Sequence, residues 1–329
     1  MIIHSHHIFV AKMKKLVNVL WIIGPLGLLL ASSVSALACD VCGCSVGGNY
    51  FGIVPQFQKN FIGLRYQYRA FDSEHLTLFP GEKPLRTHEA FHTTELWGRY
   101  VPHKKIHLFT FIPYNYYTKD EEQIRSVVSG IGDVSLVANY IIVNSGERAD
   151  KKWKHALQIG AGIKLPTGKS DRIMEGSDVL LPSLQAGTGA FDIPLNLIYT
   201  MRHKQWGVNM ESNYRITTIN KRDYKFGDRA NASLRFFYWQ KVKNISLLPH
   251  LGTGFEYGFM DKDKGVWREY TGSSVVLANA GIDLYYKRII VNFSTQTPLY
   301  QHVAKGQITG KQRFSVGISM LIDKINGND

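Results

Sequence analysis

The stretch Trp206–Ile216, with the sequence WGVNMESNYRI, alternates between two kinds of side chain. Its even-numbered positions are apolar or aromatic apart from Ser212, whereas its odd-numbered positions include Glu211 and Arg215. Successive side chains of a β-strand point to opposite faces, so this stretch predicts a strand with one apolar and one polar face. Such a strand fits the wall of a barrel that has lipid outside and a polar interior.

The same alternation recurs along the chain and predicts an all-β protein. Only helices and closed barrels satisfy their backbone hydrogen bonds inside a bilayer, and after the N-terminal region no apolar run reaches about 18 residues. We therefore predict a transmembrane antiparallel up-and-down β-barrel of about twelve strands. Two strands, 90–102 and 105–118, alternate poorly. The strands are predicted near residues 60–71, 90–102, 105–118, 131–144, 153–166, 190–203, 205–218, 228–240, 245–259, 273–286, 288–299 and 311–322.

The predicted connections between strands fall into two classes, short links and long loops, which alternate along the chain. Short links lie at 102–105, 203–205, 241–244 and 287–288, with 145–152 as an intermediate case. Bacterial outer-membrane barrels have short periplasmic turns and long external loops, whereas a soluble β-sandwich has no reason for this order. We therefore expect the protein in the outer membrane of a Gram-negative bacterium. The long polar loops are predicted at 72–89, 119–130, 167–189, 219–227, 260–272 and 300–310.

The N-terminus has the pattern of an export signal. Lys12, Lys14 and Lys15 precede the apolar run Leu16–Leu30, and Ala36-Leu37-Ala38 supplies a small-residue cleavage site. A membrane-anchor helix is the alternative, but the run is short and contains a proline. The predicted parts of the chain are a signal peptide at 1–38, a Cys- and Gly-rich segment at 39–56, the barrel at 57–323 and a C-terminal tail at 324–329.

The charge and the motifs narrow the class of function. The chain carries a formal net charge of +13, but its basic residues are spread out rather than clustered, so no nucleic-acid partner is predicted. The charge favours anionic partners, and we expect contact with outer-membrane lipids, with lipopolysaccharide and with small-molecule solutes. No serine in the sequence is paired with a convincing histidine and acid, and we predict that the protein is not an enzyme.

Cys39, Cys42 and Cys44 are all the cysteines of the chain, and they fall within six residues. Thiolates at this spacing hold soft metals such as Cu(I) or Zn(II), which makes the three residues a candidate metal site. A disulfide between Cys39 and one of the other two is a second interpretation for an oxidising compartment. Lipidation of Cys39, as the first residue after cleavage, is a third. The three interpretations stay open.

Polar side chains on the inner faces of the predicted strands form the main candidate site. Mixed charges inside a barrel line a water channel and filter solutes, but they also pair across strands and seal a lumen. We therefore predict a channel or transporter for small solutes, with a metal-binding or structural surface protein on a sealed barrel as the alternative. The predicted lumen-lining residues are Arg65, Arg69, Glu95, Arg99, Asp133, Gln158, Lys164, Asn209, Glu211, Arg215, Arg235, Glu256, Asn279 and Asp283.

Four segments resemble the "MetA-pathway of phenol degradation" family of outer-membrane transporters, which is grouped with fatty-acid-transporter-like barrels. The resemblance runs from about Phe57 to Leu321, and it implies an outer-membrane barrel that passes small, often hydrophobic solutes. It implies no catalytic residues. The cysteine segment departs from the family pattern. The four segments are GIGDVSLVANYIIV (130–143), LQIGAGIKLPTGKSD (157–171), GTGAFDIPLNLIYTMRHKQWGVNMESNYRI (187–216) and YKFGDRANASLRFFYW (224–239).

Overall fold

The computed structural model describes residues 59–75, 84–121, 124–146, 151–171 and 182–323. The predicted signal peptide, the cysteine segment and the C-terminal tail lie outside these ranges. The described chain forms twelve barrel strands, three of which are interrupted. They are β1 Asn60–His75, β2 Leu85–His103, β3 Ile106–Glu121, β4 Ile124–Ile131 with Ser135–Asn144, β5 Trp153–Lys164, β6 Asp192–His203, β7 Trp206–Thr217, β8 Arg229–Tyr238 with Gln240–Val242, β9 Ile245–Gly258, β10 Ser273–Tyr286, β11 Ile289–Val303, and β12 Ile308–Gly310 with Arg313–Ile322.

The barrel closes where its last strand meets its first. β12 pairs with β1 in an antiparallel register that runs from Asn60 opposite Ile322 to Tyr68 opposite Phe314. Every other strand pairs with its neighbours in the chain, also antiparallel. The predicted fold class, a closed antiparallel barrel of twelve strands, is confirmed.

The two faces of the wall differ as the alternation predicts. In β7 the side chains of Trp206 and Met210 are 67% and 46% exposed, whereas Asn209 and Glu211 are buried. The same outward apolar positions occur on other strands, for example Leu64 and Leu136. A contiguous apolar surface of this extent is rare on water-soluble proteins and fits a bilayer. None of the described helical segments is long and apolar enough to cross a membrane.

Several strands run further than the sequence predicts. β1 extends to His75, β3 extends to Glu121 and β11 extends to Val303, so the predicted loops at 72–89, 119–130 and 300–310 are wrong in part. The extensions of β1 and β3 are polar on both faces, which removes the alternation signal. Backbone pairing continues there, and ion pairs such as Arg125 with Asp120 at 3.4 Å join the strands.

A small second sheet lies among the loops at the same end of the barrel. It pairs Tyr224–Lys225 with Asp261–Asp263, and Asp261–Asp263 with Val266–Arg268. Its central carboxylate, Asp261, is fully buried and accepts hydrogen bonds from the Tyr224 hydroxyl and the Gly227 amide, both at 2.6 Å. The β7–β8 and β9–β10 loops are therefore tied to each other.

Candidate functional site

All of the predicted lumen-lining residues lie on the inner face of the wall or at its edge. Arg69, Asp133, Gln158 and Arg215 are partly buried. That these residues and the other members of the set line a channel stays a prediction. The others are buried, namely Arg65, Glu95, Arg99, Lys164, Asn209, Glu211, Arg235, Glu256, Asn279 and Asp283.

Two apolar clusters, which we call layers, lie inside the barrel, one towards the short turns and one towards the long loops. The turn-side layer consists of Phe61, Trp97, Phe109, Phe111, Val137, Ile198, Phe237, Leu248, Tyr285, Ile290 and Leu321. The loop-side layer consists of Phe71, Phe91, Tyr117, Val128, Leu184, Ala186, Val275, Leu277, Val303, Ala304 and Ile308. The inner faces of β2 and β3 supply Trp97, Phe91, Phe109 and Phe111, which explains why these strands alternate poorly in sequence.

A polar layer lies between the two apolar layers, and ion pairs organise it. Arg65 pairs with Glu95 on the adjacent strand. Arg235 on β8 lies 3.3 Å from Glu211 on β7. The guanidinium of Arg313 contacts both carboxylate oxygens of Glu256, at 3.0 and 2.9 Å. Because β10 and β11 separate β9 from β12, the last pair joins strands that are not neighbours in the wall.

The long β5–β6 loop begins at a second group of charges. Lys164 at the end of β5 lies 2.6 Å from Asp133 and 3.1 Å from Asp192. Asp133 also accepts hydrogen bonds from the amides of Thr188 at 2.9 Å and Gly168 at 3.0 Å. Asp133 thus fixes both ends of the loop, as expected for a carboxylate that caps a turn.

Part of this loop turns into the barrel. The single-turn helix Pro182–Leu184 and the residues after it are buried, and Leu184 and Ala186 belong to the loop-side layer. Asn115, on the inner face of β3, donates a hydrogen bond from its side-chain amide to the Ala186 carbonyl at 2.9 Å. Residues 182–187, which we call the inner segment, therefore cover the polar layer from the long-loop side.

A cavity of about 110 Å³ remains within the polar layer, and two side chains that line it have unpaired polar atoms. His250 and Asn279 are 3% and 5% exposed, and within the described part of the chain neither forms a side-chain hydrogen bond. A Cβ at Gly281 would lie 2.6 Å from His250 Cε1 and Nε2, so the glycine leaves room for the imidazole. Buried polar atoms without partners are rare in folded proteins and call for an explanation.

Sequence reasoning missed several inner-face residues. His250 and Glu256 are an even number of residues apart on β9, so they face the same side of the wall. The same holds for Arg313 and the other inward residues of β12. Alternation could therefore have identified His250 and Arg313. Asn196 was also missed, and its side-chain amide donates a hydrogen bond of 3.0 Å to Asn139 Oδ1 inside the barrel. The mutual proximity of such residues depends on strand order, which no single strand encodes.

The described residues contain no group of three or more histidine, cysteine or acidic side chains that could hold a metal ion. Cys39, Cys42 and Cys44 lie outside the described residues. The Cu(I) or Zn(II) site therefore stays a prediction.

Comparison with solved structures agrees with the geometry. No protein-family model and no curated protein matches the chain. An outer membrane channel from Pseudomonas putida F1 aligns with a TM-score of 0.61 at 14% identity, over 84% of this chain and 100% of that one. The beta domain of the Bordetella autotransporter Brka aligns with a TM-score of 0.47 at 11% identity, over 80% and 100%. The fold is that of bacterial outer-membrane β-barrels.

Proposed function

We propose that the protein is an outer-membrane channel for small solutes that combine an apolar body with a polar group. The observation that carries this proposal is the cavity in the polar layer, where His250 and Asn279 keep unpaired polar atoms. Burying a polar group without a hydrogen bond costs about 1–3 kcal/mol by mutational measures. A lumen that served only as a seal would be more stable with these positions apolar.

The layered interior supports the amphipathic character of the solute. Both apolar layers contain aromatic rings; Phe91 contacts Tyr117 edge-on at 4.8 Å, and Trp97 stacks on Phe111 at 6.2 Å. Such rings bind apolar and aromatic bodies, while an imidazole and an amide provide a donor and an acceptor for a hydroxyl or carboxyl group. The resemblance to the phenol-degradation family implies small, often hydrophobic solutes.

Passage requires the inner segment to move, because it covers the polar layer. Its link to the wall through Asn115 and Ala186 is a hydrogen bond, and its apolar contacts run through Leu184. We therefore propose that displacement of residues 182–187 opens the long-loop side of the channel.

Conductance across planar bilayers tests this function, with potassium benzoate at a pH above neutrality as the only salt. We expect small currents from the native protein and larger ones from Asn115→Ala, which removes the bond to the inner segment. Asn139→Ala, which also removes a buried asparagine pair, is the matched control and should not raise the current. If none of these folded proteins conducts, the barrel is a sealed anchor and the proposal is wrong.

Binding to the cavity is measured separately in detergent by calorimetry, with benzoate and its neutral analogue benzyl alcohol as probes. Asn279→Leu and His250→Phe should each weaken binding about tenfold, since one hydrogen bond to a charged group contributes about 1.5–3 kcal/mol. Unchanged binding by both folded variants would exclude the cavity as the solute site.

A further inference from the structure

Among the described residues, most charged side chains at the short-turn end of the barrel are basic. We call its exposed basic residues the basic ring, because they lie in or beside all five turns that connect strands at this end. The described residues of these turns include no acidic side chain, and Asp323, which follows β12 at the same end, pairs with Lys59 and Arg288. The basic ring consists of Lys104, Lys105, Lys151, Lys152, Lys204, Lys241, Lys243, Lys287 and Arg288.

The long-loop end contrasts with this arrangement. Its basic residues are about as numerous among those described, but many of them are neutralised by acidic neighbours. The ion pairs there are Arg86 with Glu74, Lys119 with Glu121, Arg125 with Asp120, Lys225 with Asp228, Arg268 with Asp263, Lys305 with Glu269 and Lys311 with Asp72. Among the described residues, the uncompensated positive charge is therefore concentrated at the short turns.

Aromatic side chains next to the basic ring fix its depth in the membrane. Trp206 and Tyr100 are 67% and 59% exposed on the outer face, and Trp153 and Tyr286 are exposed close to the turns. Tryptophan and tyrosine prefer the membrane–water interface. Lys287 Nζ lies 5.4 Å from the centre of the Tyr286 ring. The ammonium groups of the ring consequently lie at the level of lipid headgroups.

We infer that the basic ring binds the phosphate groups of anionic phospholipids in the leaflet around the short turns. Short turns face the periplasm in bacterial barrels, and that leaflet consists of phospholipid. Basic residues near an anionic membrane surface contribute about 1 kcal/mol each, which corresponds to roughly fivefold in affinity. The ring thus gives the barrel a preference for anionic lipid at one rim, independently of whether its lumen conducts.

Native mass spectrometry of the full-length protein in neutral detergent tests this inference, with phosphatidylglycerol and phosphatidylcholine of equal chain length as probes. The native protein should retain phosphatidylglycerol preferentially, and added salt should reduce the preference. The triple variant Lys204→Gln, Lys243→Gln and Lys287→Gln should lose roughly fivefold in phosphatidylglycerol binding for each charge removed.

The matched control removes three exposed lysines from the long-loop end through Lys169→Gln, Lys221→Gln and Lys264→Gln. Lys264 has a positive φ of 48°, similar to the 52° of Lys243 in the test variant. The control should keep the lipid preference, and unfolding in urea should show that both variants are folded. Equal losses in the two variants, or no loss in either, would overturn the inference. Polyglutamate serves as a probe for an acidic protein partner. If the triple test variant lost binding to polyglutamate but kept its binding to phosphatidylglycerol, the ring would bind an acidic protein, and the inference would be overturned.

Discussion

Arg313 on β12 and Glu256 on β9 form an ion pair inside the barrel, in which one guanidinium nitrogen donates to both carboxylate oxygens at 3.0 and 2.9 Å. Both side chains are buried, and the strands that carry them are not adjacent. A buried pair is sensitive to the loss of one partner, because the charge that remains has no compensation.

Arg313→Met should therefore destabilise the barrel by about 3–5 kcal/mol, since it leaves the Glu256 carboxylate buried and unpaired. The double variant with Glu256→Met should recover most of this loss. Urea unfolding of the protein in lipid vesicles measures both free energies. A double variant as unstable as the single one would show that packing, rather than charge, controls this position.

The outward position of Leu136 predicts a depth-dependent cost of charge. Leu136 is 42% exposed on the outer face of β4, and Leu136→Arg should cost about 2–4 kcal/mol if it lies near the bilayer midplane. Val127, on the outer face in the part of the same strand nearer the long loops, is 48% exposed, and Val127→Arg should cost at most about 1 kcal/mol. Urea unfolding in lipid vesicles measures the free energy of unfolding of the two variants. Equal losses of this free energy would contradict the assigned position of the strand in the membrane.

The order of short turns and long loops predicts which end is outside the cell. A protease site inserted at Gly265, in the β9–β10 loop, should be cleaved on intact cells. The same site at Lys243, in the β8–β9 turn, should be cleaved only after the outer membrane is opened. The reverse pattern would invert the orientation of the barrel.

Asp228, at the start of β8 on the long-loop side, predicts a loss of stability in acid. Burial raises the pKa of this carboxyl, but hydrogen bonds from the Thr217 amide and hydroxyl and from the Tyr214 hydroxyl outweigh burial and lower it below its usual 3.8. The stabilising effect is complete above the usual pKa and disappears as the pH falls through the lowered value. The difference in unfolding free energy between native protein and Asp228→Asn should therefore shrink in strong acid; a constant difference would contradict the assignment.

The cysteine segment predicts soft-metal binding that is separable from barrel folding. If Cys39, Cys42 and Cys44 hold Cu(I) or Zn(II), purified protein should bind the metal stoichiometrically, and Cys42→Ser with Cys44→Ser should abolish binding without changing vesicle unfolding. A disulfide would leave at most one thiol reactive before reduction, and lipidation would add an acyl mass at the N-terminus. Three free thiols without metal or lipid would contradict every interpretation of the segment.

The sequence predicted the wall of the barrel because each strand encodes its own two faces. Glu211 and Met210 face opposite ways as a direct consequence of strand geometry, and no knowledge of the other strands is needed. The rule failed for the inner faces of β2 and β3, where Trp97 and Phe111 replace the expected polar residues. The alternation rule also failed for strand ends that extend beyond the membrane, because polar residues there continue to pair with the neighbouring strand.

The interior could be predicted only as a set of residues and not as an arrangement. The cavity at His250 and Asn279 depends on the register between β9 and β10, where Gly281 lies opposite the histidine. The inner segment depends on a loop that folds back through Asn115 and Ala186. These are relationships between distant parts of the chain, and alternation within one strand carries no information about them.

The seam between β1 and β12 also sets the time course of assembly. Its two edges come from opposite ends of the barrel sequence, so the ladder from Asn60–Ile322 to Tyr68–Phe314 cannot begin to form before the final strand has been synthesised and exported. Contacts between residues so far apart in sequence make folding slow. Until the seam forms, two strands keep unpaired edges that can pair with other chains. The polypeptide must therefore cross the periplasm unclosed, and its exposure to aggregation lasts until its last residues arrive.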